Sequence, residues 1–353
     1  MRVVNTYFKH FKPKLKNAYN LSMVSVNHLD TIVVIMEDEK GNSGYGEAVP
    51  LKYYTDETVD SIKEKVGGVL GGLKGETFNG INDIHKFVGE IRDKNLFAVS
   101  AIEVALLDLL SRRLNIDFID LIGGRIKKEV FLVGNIGIHD KDTTIDLAKN
   151  FYLQGHKTMK MKIGKDIHED VDKITAVGSI ANDLVIRLDA NQALTYDKAR
   201  EYFKRLRGYN IELIEQPLPV GNLELHSKLK QEFKIPLMLD EEIYSFADVV
   251  EVYHKKAASY VKTKLFKTGV KETQKIAEFA GEKGIGLIWG NGVESDVGAF
   301  AELKVACSIP QINPVCECIG PLKIIDCLTN RTFEVNNGKI KDEFTMGLGI
   351  ELI

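Results

Sequence analysis

Apolar residues fall into two textures along the chain. Over residues 31–46, TIVVIMEDEKGNSGYG, β-rich residues flank a Gly/Asn turn, which predicts an antiparallel hairpin. Residues from about 55 to 113 then carry helical periodicity, and the stretch 100–110, SAIEVALLDLL, is apolar nearly all round, as in a buried helix. Strands followed by helices predict a separate α+β module over residues 1–125. From about residue 130, short apolar strands alternate with charged amphipathic helices, the signature of a parallel sheet with helical crossovers. Strands are expected at 130–136, 158–163, 184–190, 211–215, 236–240, 260–265, 286–290 and 312–317. Eight is the number that closes a (β/α)8 barrel, expected over residues 126–320.

Polar residues interrupt these strands at regular places. Lys162, Asp189, Glu215, Asp240 and Lys264 each lie at or near a strand's C-terminal end, spaced by 27, 26, 25 and 24 residues. One interval is one β/α unit, so each unit sets an ionisable group at the same rim, the rim that carries active sites in such barrels. Three carboxylates from neighbouring strands repel one another without a cation. A hard divalent ion fits that oxygen set, magnesium being the usual candidate and manganese a substitute. Taken singly, each carboxylate could equally cap the next helix or pair with a surface lysine.

Lys160 and Lys162, in the run 158–164, TMKMKIG, are two apart on an apolar strand and share a face, expected to be the barrel interior. Two ammonium groups beside a cation are expected to depress each other's pKa, which suits Lys162 as a base with Lys160 as helper. Lys264 follows four strands later, across the barrel mouth. By alternation Lys262 points inward one layer below it, while Lys267 is assigned to the following loop.

Composition narrows the class without choosing a reaction. The chain of 353 residues is 44% hydrophobic and 27% charged with a net charge of -3, which suits a globular protein and gives no basic footprint for nucleic acid. No run of about 18 apolar residues or signal-peptide pattern occurs, so a cytoplasmic protein is expected. Four cysteines, Cys307, Cys316, Cys318 and Cys327, are too few for a disulfide framework and lack the second pair a zinc site needs.

Together these positions resemble the enolase superfamily, specifically its muconate-cycloisomerase-like subgroup within the mandelate racemase/muconate lactonizing enzyme family, which includes dipeptide epimerases and N-acylamino acid racemases. Lys160-Met-Lys162 is similar to its K-x-K, residues 189–191 to D-x-N, 215–217 to E-Q-P, 240–241 to D-E and 264–269 to K-x-x-K-x-G. Glu47-Ala-Val-Pro50 and residues 101–108 resemble capping-domain motifs, and 346–349, MGLG, a closing segment. The resemblance implies a modified, enolase-like TIM-type barrel with an α+β N-terminal capping domain, to which residues 321–353 return. It implies that Asp189, Glu215 and Asp240 hold Mg2+, that an enediolate forms, and that Lys162 and Lys264 act as opposed acid and base. Lys160 and Asn191 would assist, and Glu241 would orient a neighbouring lysine.

Specificity elements are expected in the segments around 15–26 and 51–57 and at the ends of strands seven and eight, with Asn135 and Tyr54 among the supporting residues. Where dipeptide epimerases carry a D-x-D for the substrate's ammonium group, residues 317–319 read Glu-Cys-Ile, which favours N-substituted amino acids or cycloisomerase-type substrates. Glu317 could still meet a cation or serve as a structural hydrogen-bond partner. Trp289 suits packing against a substrate or filling space beneath a loop, and Lys262 needs a partner that the sequence does not name. The expected reaction is racemisation or epimerisation of an amino-acid derivative with a small carboxylate substrate, in a homo-oligomer. Cycloisomerisation and dehydration are the alternatives, and a barrel kept only for binding is the rival from another class.

Overall fold

The computed structural model describes residues 1–20, 25–51, 54–318 and 320–353; parts of the predicted specificity segments 15–26 and 51–57, and Ile319, lie outside them. The N-terminal module opens with β1 (Val3–Phe11), β2 (Lys14–Asn20), β3 (Ser25–His28), β4 (Thr31–Asp38) and β5 (Ser43–Ala48). β4 and β5 form the predicted hairpin, and β1 completes an antiparallel sheet in the order β1-β4-β5. Helices α1 (Val59–Leu73), α2 (Ile81–Ile91), α3 (Leu96–Leu114) and α4 (Phe118–Leu121) follow. A Thr58/Ser61 capping box starts α1, satisfying end N–H groups that have no partner within the helix. α3 is buried from Phe97 to Arg112, which accounts for its all-round apolar sequence: β5 lies on one side of it and barrel elements on another.

The barrel strands and helices are β6 (Glu129–Leu132), β7 (Gly134–Ile136), α5 (Lys141–Leu153), β8 (Thr158–Lys162), α6 (Ile167–Gly178), β9 (Val185–Asp189), α7 (Tyr196–Arg205), β10 (Ile211–Glu215), α8 (Leu223–Phe233), β11 (Leu237–Leu239), α9 (Phe246–His254), β12 (Tyr260–Thr263), α10 (Leu265–Lys283), β13 (Gly286–Trp289), α11 (Asp296–Ser308) and β14 (Val315–Cys316). The short α12 (Gly320–Lys323), β15 (Val335–Asn336) and β16 (Lys339–Lys341) close the chain. Strands β7 to β13 pair in sequence order, all parallel, in one curled sheet. β14 pairs in parallel with β6 and reaches β13 through a Leu287–Ile312 bridge and the Glu317 N–H to the Trp289 carbonyl, at 3.1 Å. The first predicted strand is thus split at Val133, whose N–H turns to the Cys316 carbonyl. All eight predicted strand positions carry a strand, within a modified (β/α)8 barrel.

Buried carboxylates fasten the N-terminal module to the barrel through helix N-termini. Glu47, at the end of β5, accepts from the Ser295 and Gly298 N–H groups at the start of α11, at 3.0 and 2.7 Å. Glu103 of α3 accepts from the N–H groups of Val270 and Lys271 at 2.9 and 3.0 Å. Those donors are free because α10 breaks at Gly269, whose φ of 63° is a left-handed conformation that glycine adopts without a Cβ penalty. Asp108 receives the N–H groups of Tyr45 and Leu348, so the C-terminal tail is held by the same helix. Glu47 and Glu103 meet orphan donors at the positive end of a helix dipole, and Asp108 meets donors on β5 and in the tail; these bonds offset part of the burial, which still raises all three carboxyls. The capping-domain motifs therefore act as fasteners that hold the module over the barrel mouth.

Candidate active site

Strand register assembles the site. Lys162, Asp189 and Glu215 stand in one row across β8, β9 and β10, and Asp240 and Lys264 are the first residues beyond β11 and β12. Successive inward positions on a strand are two residues apart, which sets Lys160 beneath Lys162 and Lys262 beneath Lys264. Gly290 makes room for the latter pair, since a Cβ there would stand 2.7 Å from Lys262 Cδ and 2.9 Å from Lys264 Cε.

The side chains form a dense ionic mesh. Lys162 Nζ lies 2.8 Å from Asp189 Oδ2 and donates to Asn191 Oδ1. Lys160 Nζ contacts Asp189 Oδ2 at 2.9 Å, Glu215 Oε2 at 2.8 Å and Glu317 Oε1 at 3.2 Å. Lys264 Nζ is 2.7 Å from Asp240 Oδ2 and donates to the Tyr54 hydroxyl at 2.6 Å. Asn191 gives its amide to Glu241 Oε1 at 3.0 Å. The backbone at this rim is strained: Asn191, Gln192 and Gln216 have φ of 40°, 67° and 36°, and such conformations concentrate at functional sites. Gln216 also receives the Asp240 N–H, fixing the turn that presents that carboxylate.

Several sequence expectations are corrected here. Lys267 is not in a loop: it sits in the first turn of α10, fully buried, with Nζ 2.7 Å from Asp240 Oδ1 and 2.6 Å from its carbonyl. Glu241 accepts from the Asn191 amide, whose oxygen receives Lys162, so its link to that lysine runs through Asn191. Trp289 is completely buried; its register neighbour Ile288 pairs with inward Lys262, so the indole is on the opposite face of β13, away from the mouth. Asn135 is half-buried on β7 beside Lys160 in register. Lys262 finds the partner that the sequence left unnamed, with Nζ 2.7 Å from Glu215 Oε1 and 2.8 Å from Glu317 Oε1. Glu317 therefore meets cations, but they are the protein's own.

The ionic mesh sets the electrostatics of the site. Burial presses the Lys160 and Lys264 ammonium groups toward neutrality, yet surrounding carboxylates outweigh it, Asp189 and Glu215 around Lys160 and Asp240 beside Lys264, and both lysines are held above their ordinary range. Lys267 moves down, to about 8, because burial outweighs its Asp240 contact. Burial raises Glu215 to about 7, with Asp189 adding to the effect. Glu317 falls to about 2 despite burial because Lys160 and Lys262 flank it.

The donor chemistry fits a hard divalent cation: three carboxylates on successive strands, with Glu215 Oε2 buried and making no directed hydrogen bond even though Lys160 is near it. As they stand, no three acidic or sulfur groups among the described residues close into a ready cage, because each carboxylate is drawn onto an ammonium group. The lysines occupy the electrostatic place of a cation and must yield for one to enter.

A parallel barrel with lysines on opposing strands and a carboxylate row between them places the chain among enolase-like barrels. The chain belongs to the mandelate racemase/muconate lactonizing enzyme family of the enolase superfamily, an isomerase family: residues 4–123 match its N-terminal domain model and residues 143–353 the enolase C-terminal domain-like model. It is 30% identical to the N-succinyl-L-Arg/Lys racemase of Bacillus cereus over 100% of this chain and 96% of that one. The crystal structure of that racemase superposes with a TM-score of 0.94, at 29% identity and the same coverage. A dipeptide epimerase from Enterococcus faecalis V583, solved with Mg and the dipeptide L-Leu-L-Tyr, gives a TM-score of 0.92 at 25% identity, covering 99% of each chain. A chloromuconate cycloisomerase of Cupriavidus necator is 28% identical over 92% of this chain and 90% of its own. Racemase, epimerase or cycloisomerase chemistry follows for this chain.

Proposed function

We propose that the chain racemises or epimerises an N-substituted amino acid by moving the proton on the carbon next to its carboxylate. One observation carries the reading: Lys162 and Lys264 stand on β8 and at the end of β12, four strands apart in sheet order, with the carboxylates of β9, β10 and β11 between them. A substrate carbon held between them meets a nitrogen on each face. The neutral amine of one lysine takes the proton and becomes ammonium, while the opposite ammonium returns a proton to the other face. Asp189, Glu215 and Asp240 would hold Mg2+, which when bound supplies positive charge to the substrate carboxylate. Lys160 adds a fixed positive charge beneath the reacting carbon, and Asn191 and Tyr54 hold Lys162 and Lys264 on line. The N-substituted class draws support from the similarity to an N-succinyl amino-acid racemase and from the engagement of Glu317 by lysines. We further assign residues 1–125 to a capping domain, 126–320 to the catalytic barrel and 321–353 to a segment returning to the cap.

The test is NMR of α-proton exchange in heavy water with Mg2+ across N-acyl amino acids, dipeptides and hydroxy acids. Metal-dependent exchange that yields both stereoisomers of an N-acyl amino acid is expected. Absence of exchange on every compound, together with turnover of an unsaturated diacid, would replace the racemase with a cycloisomerase.

A further inference from the structure

Beneath the rim, four buried side chains close a ring of alternating charge. Lys262 Nζ is 2.7 Å from Glu215 Oε1; Glu215 Oε2 is 2.8 Å from Lys160 Nζ. Lys160 Nζ is 3.2 and 3.3 Å from the two Glu317 oxygens, and Glu317 Oε1 is 2.8 Å from Lys262 Nζ. Lys262 has no solvent exposure and Glu317 only 4%. Two consequences follow from this connectivity. Both oxygens of Glu317, the acid at the end of the eighth strand, are engaged by lysines, so none is left to receive a cationic group from a substrate. Both oxygens of Glu215 are likewise contacted by ammonium groups, so any cation binding there competes with Lys262.

We propose that Lys262 is a positioning residue that sets the charge of the site: it holds Glu215 from below and saturates Glu317, and thereby disfavours ligands bearing a free ammonium group. The inference rests on the assignment of Glu215 to the cation-binding row. A buried lysine replaced by a neutral side chain of similar length removes one positive charge a few ångströms from that row, where interactions are weakly screened. A merely space-filling Lys262 would leave the affinity of the row for cations unmoved.

Calorimetry on the full chain separates these cases, with Mg2+ alone as the first probe. Lys262→Met is expected to bind Mg2+ about tenfold tighter than the parent, and Glu317→Gln, which strands a positive charge instead, about tenfold weaker. The second probe is a pair of ligands that differ only in the ammonium charge, L-alanyl-L-alanine and its N-acetyl form, titrated into Mg2+-loaded protein. Lys262→Met is expected to shift the affinity ratio about tenfold toward the free dipeptide. Mg2+ affinities that stay level or move in the same direction in both variants overturn the proposal. If Lys262→Met does not fold, weaker Mg2+ binding by Glu317→Gln still supports it and unchanged binding still overturns it. Failure of the racemase reading looks different: the parent protein would exchange no α-proton on any N-acyl amino acid, while the Mg2+ affinities would still report on the ring.

Discussion

Lys162 and Lys264 occupy unlike surroundings. The Lys162 side chain is 27% exposed and that of Lys264 only 3%, the latter lying 4.0 Å from the centre of the Tyr54 ring and bonded to its hydroxyl. Replacing either by alanine is expected to lower racemisation about 10²- to 10⁴-fold, the usual contribution of a positioned acid or base. The split between them is the sharper readout: each variant should still exchange the α-proton of one enantiomer, Lys162→Ala of one hand and Lys264→Ala of the other, followed by NMR in heavy water. Equal loss of exchange for both enantiomers in both variants would put both lysines in a purely electrostatic role. Gly290 offers a gentler perturbation. A methyl group there presses on the buried arms of Lys262 and Lys264, so Gly290→Ala is expected to reduce turnover about tenfold and to cost about 1–3 kcal/mol of stability, as overpacking a buried site does. A denaturation midpoint that collapsed with turnover would show that backbone packing, not lysine placement, fixes that position.

Among the elements, the junction of β5 with α11 carries a pH dependence whose sign can be worked out. Burial raises the Glu47 carboxyl to about 7, against hydrogen bonds from Thr31, Ser295 and Gly298 that pull it down. A group with a folded pKa above its unfolded value near 4.5 contributes stability fully present below 4.5 and lost as pH rises through about 7. The difference corresponds to about 3 kcal/mol at most. Urea unfolding followed by circular dichroism is therefore expected to show a component declining between pH 4.5 and 7 that Glu47→Gln lacks, on a lower baseline because an amide oxygen replaces two acceptors with one. Identical pH profiles for the parent and the variant would remove Glu47 as the source. This junction was legible in sequence only as a motif, since nothing in residues 47–50 says which helix they cap. The strand row was legible in detail, because one β/α unit recurs at 24 to 27 residues and places one ionisable group per unit at the same height. Lys267 escaped because no side chain caps the start of α10, leaving no local signal that the helix begins at Leu265. The pairing of Lys262 with Glu317 escaped because it joins residues 55 apart across the barrel, a contact that strand alternation cannot specify.

At the scale of the whole molecule, the ionic mesh bears on whether the fold depends on metal. Five lysines, at 160, 162, 262, 264 and 267, contact the carboxylates of Asp189, Glu215, Asp240 and Glu317, so the carboxylate row is compensated by the chain's own ammonium groups. Unpaired burial of such charges would cost several kcal/mol each, whereas paired burial removes most of that penalty. The barrel is further held by an apolar core running from the N-terminal sheet through the strands and helices. Chelation is accordingly expected to abolish turnover while leaving the far-ultraviolet circular dichroism unchanged, unlike small domains whose metal is their core. Saturating Mg2+ should then raise the thermal midpoint by a few degrees, as about 2.7 kcal/mol of linkage at a hundredfold excess over Kd predicts. That gain should shrink in Asp240→Asn, where Lys264 and Lys267 lose their common anionic partner and their charges oppose the incoming ion. A chelated protein that unfolds would mean that the lysines cannot compensate the row, and a midpoint indifferent to Mg2+ in the parent would remove the cation from these carboxylates altogether.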